Sequence, residues 1–410
     1  MNIVMVEPRA GNEYGVSVLL LNRIADYLRQ RGESVHILNP SRDKLPARLI
    51  ELTQDPDSIL YLGNYYFDMT VSAENQLLDA NIIEMINRPT ICFIGDHPMT
   101  QFMWRRIRHA AANPIYHVID DGLSKELGYL SENAFRTVAR SAPYVYECDD
   151  RIQADAKPFD LFVPVNIGMD AMPIDAVQEA FQAGSKWRLI AGDFHDLLLA
   201  DGLVRPAVDL FESVVGHHLG ADLKSFRARN QQIFQILLKI FSDVDLSARS
   251  ARRVEICKRM LRSAGSRRVL VASPKPETGP IASMELPKTV EFTGFLTPKA
   301  VGQTMARSKL VLNISPTYSD CIHERVVTTL ASHSVPLTDE TNEIKRELRA
   351  EVDYVPLSPN LWLDELFERF PADRLDAMAR SGREKVVPKY APETYFDMLA
   401  DMARQGPASA

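Results

Sequence analysis

Short apolar runs alternate with stretches of helical periodicity along the first 165 residues of the chain. In Val16–Gln30, leucine and isoleucine recur every three or four residues, the spacing of a buried helix face. Strands that alternate with helices in this way are typical of βαβ units and predict a parallel sheet. The predicted strands of this half are Ile3–Val6, Val35–Leu38, Ser58–Gly63, Thr90–Gly95, Ile115–Ile119, Tyr144–Tyr146 and Leu161–Val165.

Helical periodicity dominates between about residues 170 and 265, where the strand pattern fades. Within this region, Trp187–Gly192 fits either a strand or the start of a helix. Clustered arginines also mark the region, and a solvated basic face explains them most simply; a site for an acceptor or a lipid headgroup is the less favoured alternative. These arginines are Arg227, Arg229, Arg249, Arg252 and Arg253.

A second set of apolar runs follows residue 265 and predicts a second parallel sheet with helices between its strands. The predicted strands are Arg268–Ser273, Val290–Thr293, Leu310–Ile314, Val335–Thr338 and Tyr354–Leu357. We therefore expect an α/β protein of two domains. The predicted organisation is an α/β domain over 1–170, a helical linker or insertion over 171–265, a second α/β domain over 266–385, and a last helix with a frayed tail over 386–410.

The composition is that of a globular protein. Of the 410 residues, 46% are hydrophobic and 25% are charged, so wholesale disorder is not expected, and the length is sufficient for two domains. The formal net charge of −7 argues against nucleic acid as the main partner, because domains that bind nucleic acid usually carry a strong basic bias.

The cysteines and the apolar runs indicate a cytosolic protein. Cys92, Cys148, Cys257 and Cys321 are widely scattered without a CxxC pair, which predicts reduced thiols rather than disulfides or a zinc site. No apolar run approaches the roughly 18 residues that span a bilayer. The first residues read as a strand rather than a signal peptide. We expect a cytoplasmic protein, with peripheral association at the inner face of the membrane left open.

Polar and charged residues are concentrated in the stretch Asn313–Asp339. This stretch reads as a buried strand, a polar loop, a helix that begins near Ile322, and a second buried strand. Ligands of parallel sheets bind beyond the carboxyl ends of the strands, where helix N-termini offer free N–H groups to anions. The residue types present suit a phosphorylated, hydroxyl-rich ligand; the plainer alternative is a surface helix with one ion pair. The candidate ligand-binding residues are Ser315, Tyr318, Asp320, His323, Glu324 and Arg325.

This stretch resembles the donor-binding segment of GT-B glycosyltransferases. The resemblance rests on His323–Arg325 followed by Leu330–Thr338, and it is closest to the CgeB-like (spore-maturation) branch. It implies two Rossmann-like domains with parallel sheets and a cleft between them, and a C-terminal helix that crosses back to the first domain. It also implies that the second domain binds a nucleotide-sugar through the residues above, with Gly294 near the nucleotide base. No metal and no cofactor besides this co-substrate is expected.

Two positions depart from the pattern of this family. Retaining enzymes of the fold often carry two acidic residues eight apart along this helix, and the matching positions here are Asp320 and Thr328, so the second acid is missing. Glu324 precedes Thr328 by one helical turn on the same face and is the candidate to take over the contact with the ribose. His333 stands where the family has glycine.

Three residues near predicted strand ends of the first half are candidates for the general base that deprotonates an acceptor hydroxyl. Asp96 and His97 follow the apolar run Thr90–Gly95; a helix cap and a core histidine are the alternatives. Glu13 lies in the loop after the first strand. Asp120–Asp121 is expected to form a turn and a helix cap rather than a metal site.

The sequence thus predicts a glycosyltransferase that moves a sugar from a nucleotide-sugar to a hydroxyl of a glycan, a lipid-linked acceptor or a protein. The resemblance favours assembly of a bacterial cell-surface glycan or glycoprotein. Two alternatives stay open. One is an epimerase or hydrolase of the same fold, and the other is a non-catalytic nucleotide- or carbohydrate-binding protein, which the missing acid at Thr328 permits.

Overall fold

Two compact units, each assembled from segments that are distant in sequence, make up the computed structural model. Unit 1 comprises Met1–Ser141, Leu219–Ser242 and Pro392–Ala410, and unit 2 comprises Ala142–His218 and Asp243–Ala391. The residues that the structure describes are 2–7, 16–39, 43, 45–63, 70–73, 76–100, 103–104, 107, 110–130, 135–148, 151–165, 173–201, 203–315, 317–358 and 361–404.

Helices occur in both units, and none of those in the described ranges combines the length and apolar character needed to cross a membrane. A short 3₁₀ turn spans Ala154–Ala156. The helices are α1 (Val16–Gln30), α2 (Leu45–Leu52), α3 (Ile82–Ile86), α4 (Asp121–Leu130), α5 (Ile174–Glu179), α6 (Lys186–Ala200), α7 (Ala207–Leu219), α8 (Leu223–Arg229), α9 (Gln231–Arg262), α10 (Gly279–Ala282), α11 (Pro298–Ala306), α12 (Glu324–Ala331), α13 (Asn342–Glu347), α14 (Leu363–Arg369), α15 (Ala372–Lys389) and α16 (Pro392–Arg404).

A six-stranded sheet forms the centre of unit 1, and all of its strand pairs are parallel. Its inner strands carry near-continuous apolar runs because both faces are covered, as parallel sheets require. The strands of unit 1 are β1 (Asn2–Val6), β2 (Ser34–Leu38), β3 (Ser58–Leu62), β4 (Thr70–Ala73), β5 (Gln76–Asn81), β6 (Thr90–Ile94), β7 (Ile115–Val118) and β8 (Arg136–Ala139). The sheet has the order β2-β1-β3-β6-β7-β8, and β4 and β5 pair separately in antiparallel fashion.

The edge strand β8 was not predicted, and the strand predicted at Tyr144–Tyr146 does not form. The amide of Tyr144 donates to the Tyr390 carbonyl oxygen at 3.1 Å. The amide of Val145 donates to Thr328 Oγ1, also at 3.1 Å. Because these two amides donate to helical segments of unit 2, they do not form hydrogen bonds with a neighbouring strand.

The C-terminal helix α16 packs within unit 1, although the residues just before it belong to unit 2. Tyr395 and Phe396 are buried there, and the Tyr395 hydroxyl lies 2.7 Å from Nδ1 of His117. Near the other edge of the helix, the Tyr27 hydroxyl donates to Asp397 Oδ2 at 2.8 Å. The predicted return of the last helix to the N-terminal domain is therefore confirmed.

Unit 2 contains a second six-stranded sheet, again with parallel pairs only. Its strands are β9 (Phe159–Val163), β10 (Val269–Val271), β11 (Val290–Phe292), β12 (Ser308–Asn313), β13 (Val335–Thr338) and β14 (Val355–Pro356), in the order β11-β10-β9-β12-β13-β14. The predicted α/β class with two parallel sheets is confirmed.

The strand β9 corrects one detail of the sequence analysis, which assigned Leu161–Val165 to the first sheet. In the structure, β9 lies in the middle of the second sheet, with Leu161 paired to Val269 and to Leu310. An apolar strand that is buried on both faces fits any central position of either sheet. Its partners lie more than a hundred residues later, so nothing local in the sequence identifies its sheet.

The helical character predicted for the middle of the chain holds for its described residues, α5 to α9. Trp187–Gly192 is helical and lies inside α6. The long helix α9 contributes its residues up to Ser242 to unit 1 and those from Asp243 onward to unit 2.

The turn after α12 explains why glycine is expected at position 333. The amide of Ser334 donates to the Thr329 carbonyl and that of His333 to the Leu330 carbonyl, both at 3.1 Å. These two bonds define a Schellman motif, whose turn residue adopts a left-handed conformation. His333 has a φ of 57°, a region that favours glycine over residues with a Cβ atom.

We expect His333→Gly to be more stable than His333→Ala by about 1 kcal/mol, because both variants lose the imidazole and only alanine keeps a Cβ atom in the left-handed region. The free energy of unfolding, measured by urea titration for the two variants, tests this expectation. Equal stabilities of the glycine and alanine variants would contradict it.

Candidate functional site

The loop after β12 and the start of α12 lie at the carboxyl edge of the second sheet. The strands β12 and β13 are parallel neighbours, with Asn313 paired to Thr338 at their ends. Since α12 connects these two strands, its N-terminus returns to the edge at which β12 ends. The sequence folds this way because β12 and β13 are almost fully buried apolar runs and the segment between them begins with polar residues.

His323 is the N-cap residue of α12, and its imidazole takes part in two contacts. Nδ1 lies 3.2 Å from the amide nitrogen of Arg325 and 2.7 Å from Oε2 of Glu324. A single ring nitrogen makes only one of these hydrogen bonds at a time: deprotonated, it accepts from the Arg325 amide, and protonated, it donates to Glu324.

Glu324 carries a negative charge at this helix N-terminus. Its side chain is 24% exposed. Burial acts to raise the pKa of Glu324, but the charge and hydrogen bond of His323, together with Arg325 and the residue's own amide, lower this pKa from its ordinary 4.5 to about 2. The carboxylate is thus ionised over the whole physiological range, so both of its oxygens can accept hydrogen bonds from hydroxyl groups.

A lowered pKa in the folded state means that Glu324 contributes stability above pH 4.5 and loses it as the pH falls toward 2. We expect Glu324→Gln to lower the free energy of unfolding by about 2 kcal/mol at about pH 5 and by progressively less as the pH falls through this window. Urea titrations at several pH values test this, with Glu368→Gln, an exposed carboxylate of α14, as the control. A Glu324→Gln deficit that stays constant across the acid range would refute the expectation.

The guanidinium of Arg325 lies at the end of β12. Its Nη1 donates to Oδ1 of Asn313 at 3.1 Å. Nδ2 of the Asn313 side chain in turn donates to Thr338 Oγ1 at 2.8 Å, so the arginine is anchored to the ends of both strands. A planar guanidinium held in this position is suited to phosphate oxygens, which it binds with two parallel hydrogen bonds.

The other predicted donor-binding residues have different surroundings. Ser315 and Tyr318 are buried in the loop after β12. Asp320 forms an ion pair with Arg346, whose Nη1 lies 2.8 Å from Oδ1. Gly294 follows the edge strand β11 with a φ of 74°, three strand spacings or roughly 14 Å from β12 across the sheet. The structure thus brings His323, Glu324 and Arg325 together and places Gly294 apart from them.

Thr328 occupies the position at which the family pattern has a second acid. Its side chain is buried, and its hydroxyl oxygen accepts the Val145 amide at 3.1 Å. This hydroxyl serves the fold of unit 2. Of the three positions Asp320, Glu324 and Thr328, the first two alone carry a carboxylate.

In unit 1, His97 forms a buried pair with a carboxylate that the sequence analysis missed. The imidazole is 2% exposed, and its Nδ1 lies 2.5 Å from Oε1 of Glu126. The other carboxylate oxygen of Glu126 accepts the Met99 amide at 3.1 Å. The edge of the His97 ring faces Phe241, with 5.9 Å between ring centroids. Glu126 shares the buried face of α4 with leucines, and a lone acid on an apolar helix face is the signal that identifies it.

The remaining predictions for unit 1 have mixed outcomes. Asp96 is half-buried and follows β6. The carboxylate of Asp120 accepts the Gly122 amide at 2.7 Å, which confirms the predicted cap of α4. Glu13 lies outside the described residues. Within the described ranges, no group of three or more His, Cys, Asp and Glu side chains is placed to hold a metal ion.

The arginines of α9 are not a purely solvated face. Arg249 forms an ion pair with Asp245, and Arg252 forms one with Asp339, directly after β13. The side chains of Arg249 and Arg252 are only 19% and 25% exposed. The interpretation of these two positions as a solvated surface was therefore wrong. Arg252 pairs with a residue far away in the sequence, and Arg249 pairs with a residue one turn back on the same helix.

Comparison with known proteins bears on the part of the chain that contains this site. Residues 252–400 match a family model described as glycosyl transferase-like. The matched part includes the complete stretch Asn313–Asp339. The match confirms the prediction of a glycosyltransferase and does not distinguish the CgeB-like branch from others. No curated protein matches the sequence.

Several solved structures are similar to this chain over nearly its whole length. An alpha-glucosyltransferase (AGT) in complex with UDP is 11% identical, with a TM-score of 0.52 and coverage of 98% of this chain and 99% of that one. An alpha-glucosyltransferase with UDP-glucose and abasic DNA has 12% identity, a TM-score of 0.49 and coverage of 98% of both chains. HepE of Anabaena, with UDP and glucose, has 12% identity, a TM-score of 0.48 and coverage of 99% and 100%. The first likeness shows the GT-B fold.

Proposed function

We propose that unit 2 binds a nucleotide diphosphate sugar at the start of α12 and that the protein transfers the sugar to an acceptor hydroxyl. The observation that carries this proposal is the grouping of His323, Glu324 and Arg325 at the carboxyl edge of the second sheet. A cation and a helix N-terminus attract the diphosphate, and an ionised carboxylate accepts hydrogen bonds from hydroxyl groups.

In this proposal, Arg325 and the helix N-terminus stabilise the charge that develops on the leaving diphosphate. Such fixed charges require little reorganisation during the reaction and are therefore effective in the transition state. Glu324 accepts the hydroxyl groups of the ribose or the sugar. Gly294 leaves room for the nucleotide base at β11. The separation of Gly294 from β12 is comparable with the length of a nucleotide-sugar, so one ligand can extend from Arg325 to Gly294 in this proposal.

The acceptor is deprotonated by a base from unit 1 in this proposal, and His97 is the favoured candidate over Asp96 and Glu13. Its Nδ1 faces the Glu126 carboxylate at 2.5 Å, which favours the tautomer with the proton on Nδ1 and fixes the orientation of the ring. Replacing Glu126 tests this arrangement in the same way as replacing His97, because the two side chains act as one pair.

UDP is the nucleotide that we favour, since AGT and HepE are solved with UDP. The proposed acceptor is a glycan, a lipid-linked acceptor or a protein in the assembly of a bacterial cell-surface glycan, with the CgeB-like branch as the proposed affiliation. We propose a cytoplasmic location with peripheral membrane contact. The net charge of −7 argues against a nucleic acid acceptor such as the DNA in one AGT structure.

A nucleotide panel tests the proposal. UDP, GDP, CMP, dTDP and ADP are added separately to the protein, and thermal stability is measured, because a ligand of the folded state raises the melting temperature. We expect UDP to give the largest increase. Product analysis with UDP-sugars then separates transfer from hydrolysis or epimerisation without an acceptor. Absence of any response to the five nucleotides would refute the proposed donor site.

A further inference from the structure

The unit 2 part of α9 carries a row of charged residues, two of which contact the loop after β12. Asp245, Arg249 and Arg252 follow one another at intervals of four and three residues, so they share a face of the helix. Asp245 is fully buried, and it accepts hydrogen bonds from Arg249 and from the hydroxyl of Thr317. Thr317, near the start of the loop, is thereby attached to α9.

Arg252 links Ser315, two residues earlier in the same loop, to Asp339 directly after β13. Its Nη1 donates to the Ser315 carbonyl oxygen at 3.1 Å, and its Nη2 forms an ion pair with Oδ1 of Asp339. The second carboxylate oxygen of Asp339 accepts the Ser315 amide at 2.8 Å. Both polar backbone groups of Ser315 are thus held by one ion pair, whose carboxylate is buried.

The same hydrogen bonds continue to Arg325. Nδ2 of the Asn313 side chain lies 3.3 Å from Ser315 Oγ, and Oδ1 of the same side chain accepts from Nη1 of Arg325. The side chains of Asn313, Ser315 and Asp339 are at most 6% exposed, so water does not compete with these bonds. A continuous path of contacts leads from Arg252 to the guanidinium at the proposed donor site.

We propose that Arg252 is a positioning residue for the donor diphosphate: with Asp339, it fixes the backbone at Ser315 and, through Asn313, the place of Arg325. This inference rests on the proposed function of the same site. It assigns a role to a residue that precedes the donor-binding segment by about sixty positions in the sequence.

A direct contact between Arg252 and the ligand predicts a different response to mutation. Replacing Asp339 would release Arg252, and a released guanidinium that binds the diphosphate itself would maintain or increase the affinity. A guanidinium that acts through Asp339 and Ser315 instead loses its effect when Asp339 is replaced. The sign of the change in the Asp339 variant therefore separates the two roles.

The experiment measures the dissociation constant of UDP by calorimetry, or of whichever of GDP, CMP, dTDP and ADP stabilises the wild-type protein. Arg252→Gln, Asp339→Asn and the double variant are compared with Lys258→Ala, a control on the same helix whose ion pair with Glu255 is local. Melting temperatures establish that each variant is folded at the temperature of the titration. The Arg252→Gln and Asp339→Asn side chains are chosen because they keep most of the volume and the polarity of the originals.

We expect each single variant to bind the nucleotide about tenfold more weakly, as the loss of one charge-assisted hydrogen bond in the site predicts. We also expect the double variant to bind no more weakly than the singles, because the residues act through one link. Lower melting temperatures with unchanged affinity would show that Arg252 and Asp339 have a merely structural role. This result would overturn the inference but leave the proposed function in place. Tighter binding by Asp339→Asn would also overturn it. Failure of the wild-type protein to bind any of the five nucleotides would overturn the proposed function and this inference with it.

Discussion

Replacing Arg325 by alanine is expected to lower kcat/KM for sugar transfer by about a hundred- to a thousand-fold, the usual effect of removing one preorganised charge at a reacting group. The guanidinium lies at the carboxyl end of β12 beside the start of α12. In the proposed reaction, its interaction with the diphosphate would strengthen as the glycosidic bond breaks and negative charge accumulates on the leaving group. The loss should therefore fall on kcat as well as on donor binding.

Arg325→Lys distinguishes charge from geometry at this position. Lysine keeps the positive charge but lacks the planar fork that binds two phosphate oxygens, so we expect an intermediate loss of roughly tenfold. Arg369→Ala, which breaks an exposed ion pair with Glu351 in the same unit, is the matched control and should keep full activity. Steady-state kinetics with a UDP-sugar measures all three variants. A wild-type rate for Arg325→Ala would remove Arg325 from the proposed site.

Replacing Phe396 by alanine is expected to destabilise unit 1 by about 3–5 kcal/mol, the range for truncating a fully buried aromatic side chain. Phe396 lies on α16 and is 0% exposed. Its ring faces that of Tyr61 on β3, with 6.2 Å between the centroids. The substitution leaves a cavity between the C-terminal helix and the first sheet, which a rigid sheet fills only in part.

Chemical denaturation followed by circular dichroism measures the effect of Phe396→Ala. Asp401→Ala is the control, since it changes an exposed residue of the same helix that pairs with Arg404. We expect the control to lie within about 0.5 kcal/mol of the wild-type protein, as surface substitutions do. A similarly small change for Phe396→Ala would mean that α16 does not pack on the first sheet.

Sequence information was sufficient where the signal is local. The buried strands β12 and β13, the polar loop between them and the helix that begins near His323 all follow from contiguous residues, and each was predicted within a few positions. The same is true of the cap formed by Asp120, because a capping side chain bonds to amides two or three residues away.

Contacts between distant segments were beyond the sequence analysis. The strand β9 pairs with segments that follow it by more than a hundred residues, and its apolar side chains fit either sheet. The pairs His97–Glu126 and Arg252–Asp339 join residues 29 and 87 positions apart, so no spacing rule connects them. Glu126 was detectable as an acid on an apolar helix face, whereas Arg252 resembles any arginine of a solvated helix.

The segmented make-up of unit 1 has a consequence for synthesis on the ribosome. Its first sheet is translated early, but the helix that covers part of this sheet, α16, is encoded after the whole of unit 2. The apolar surface that Tyr395 and Phe396 cover stays open to solvent, and to chaperones, until the last helix emerges. Unit 2 has all of its segments available one helix earlier, so the nascent chain can complete its second unit before its first.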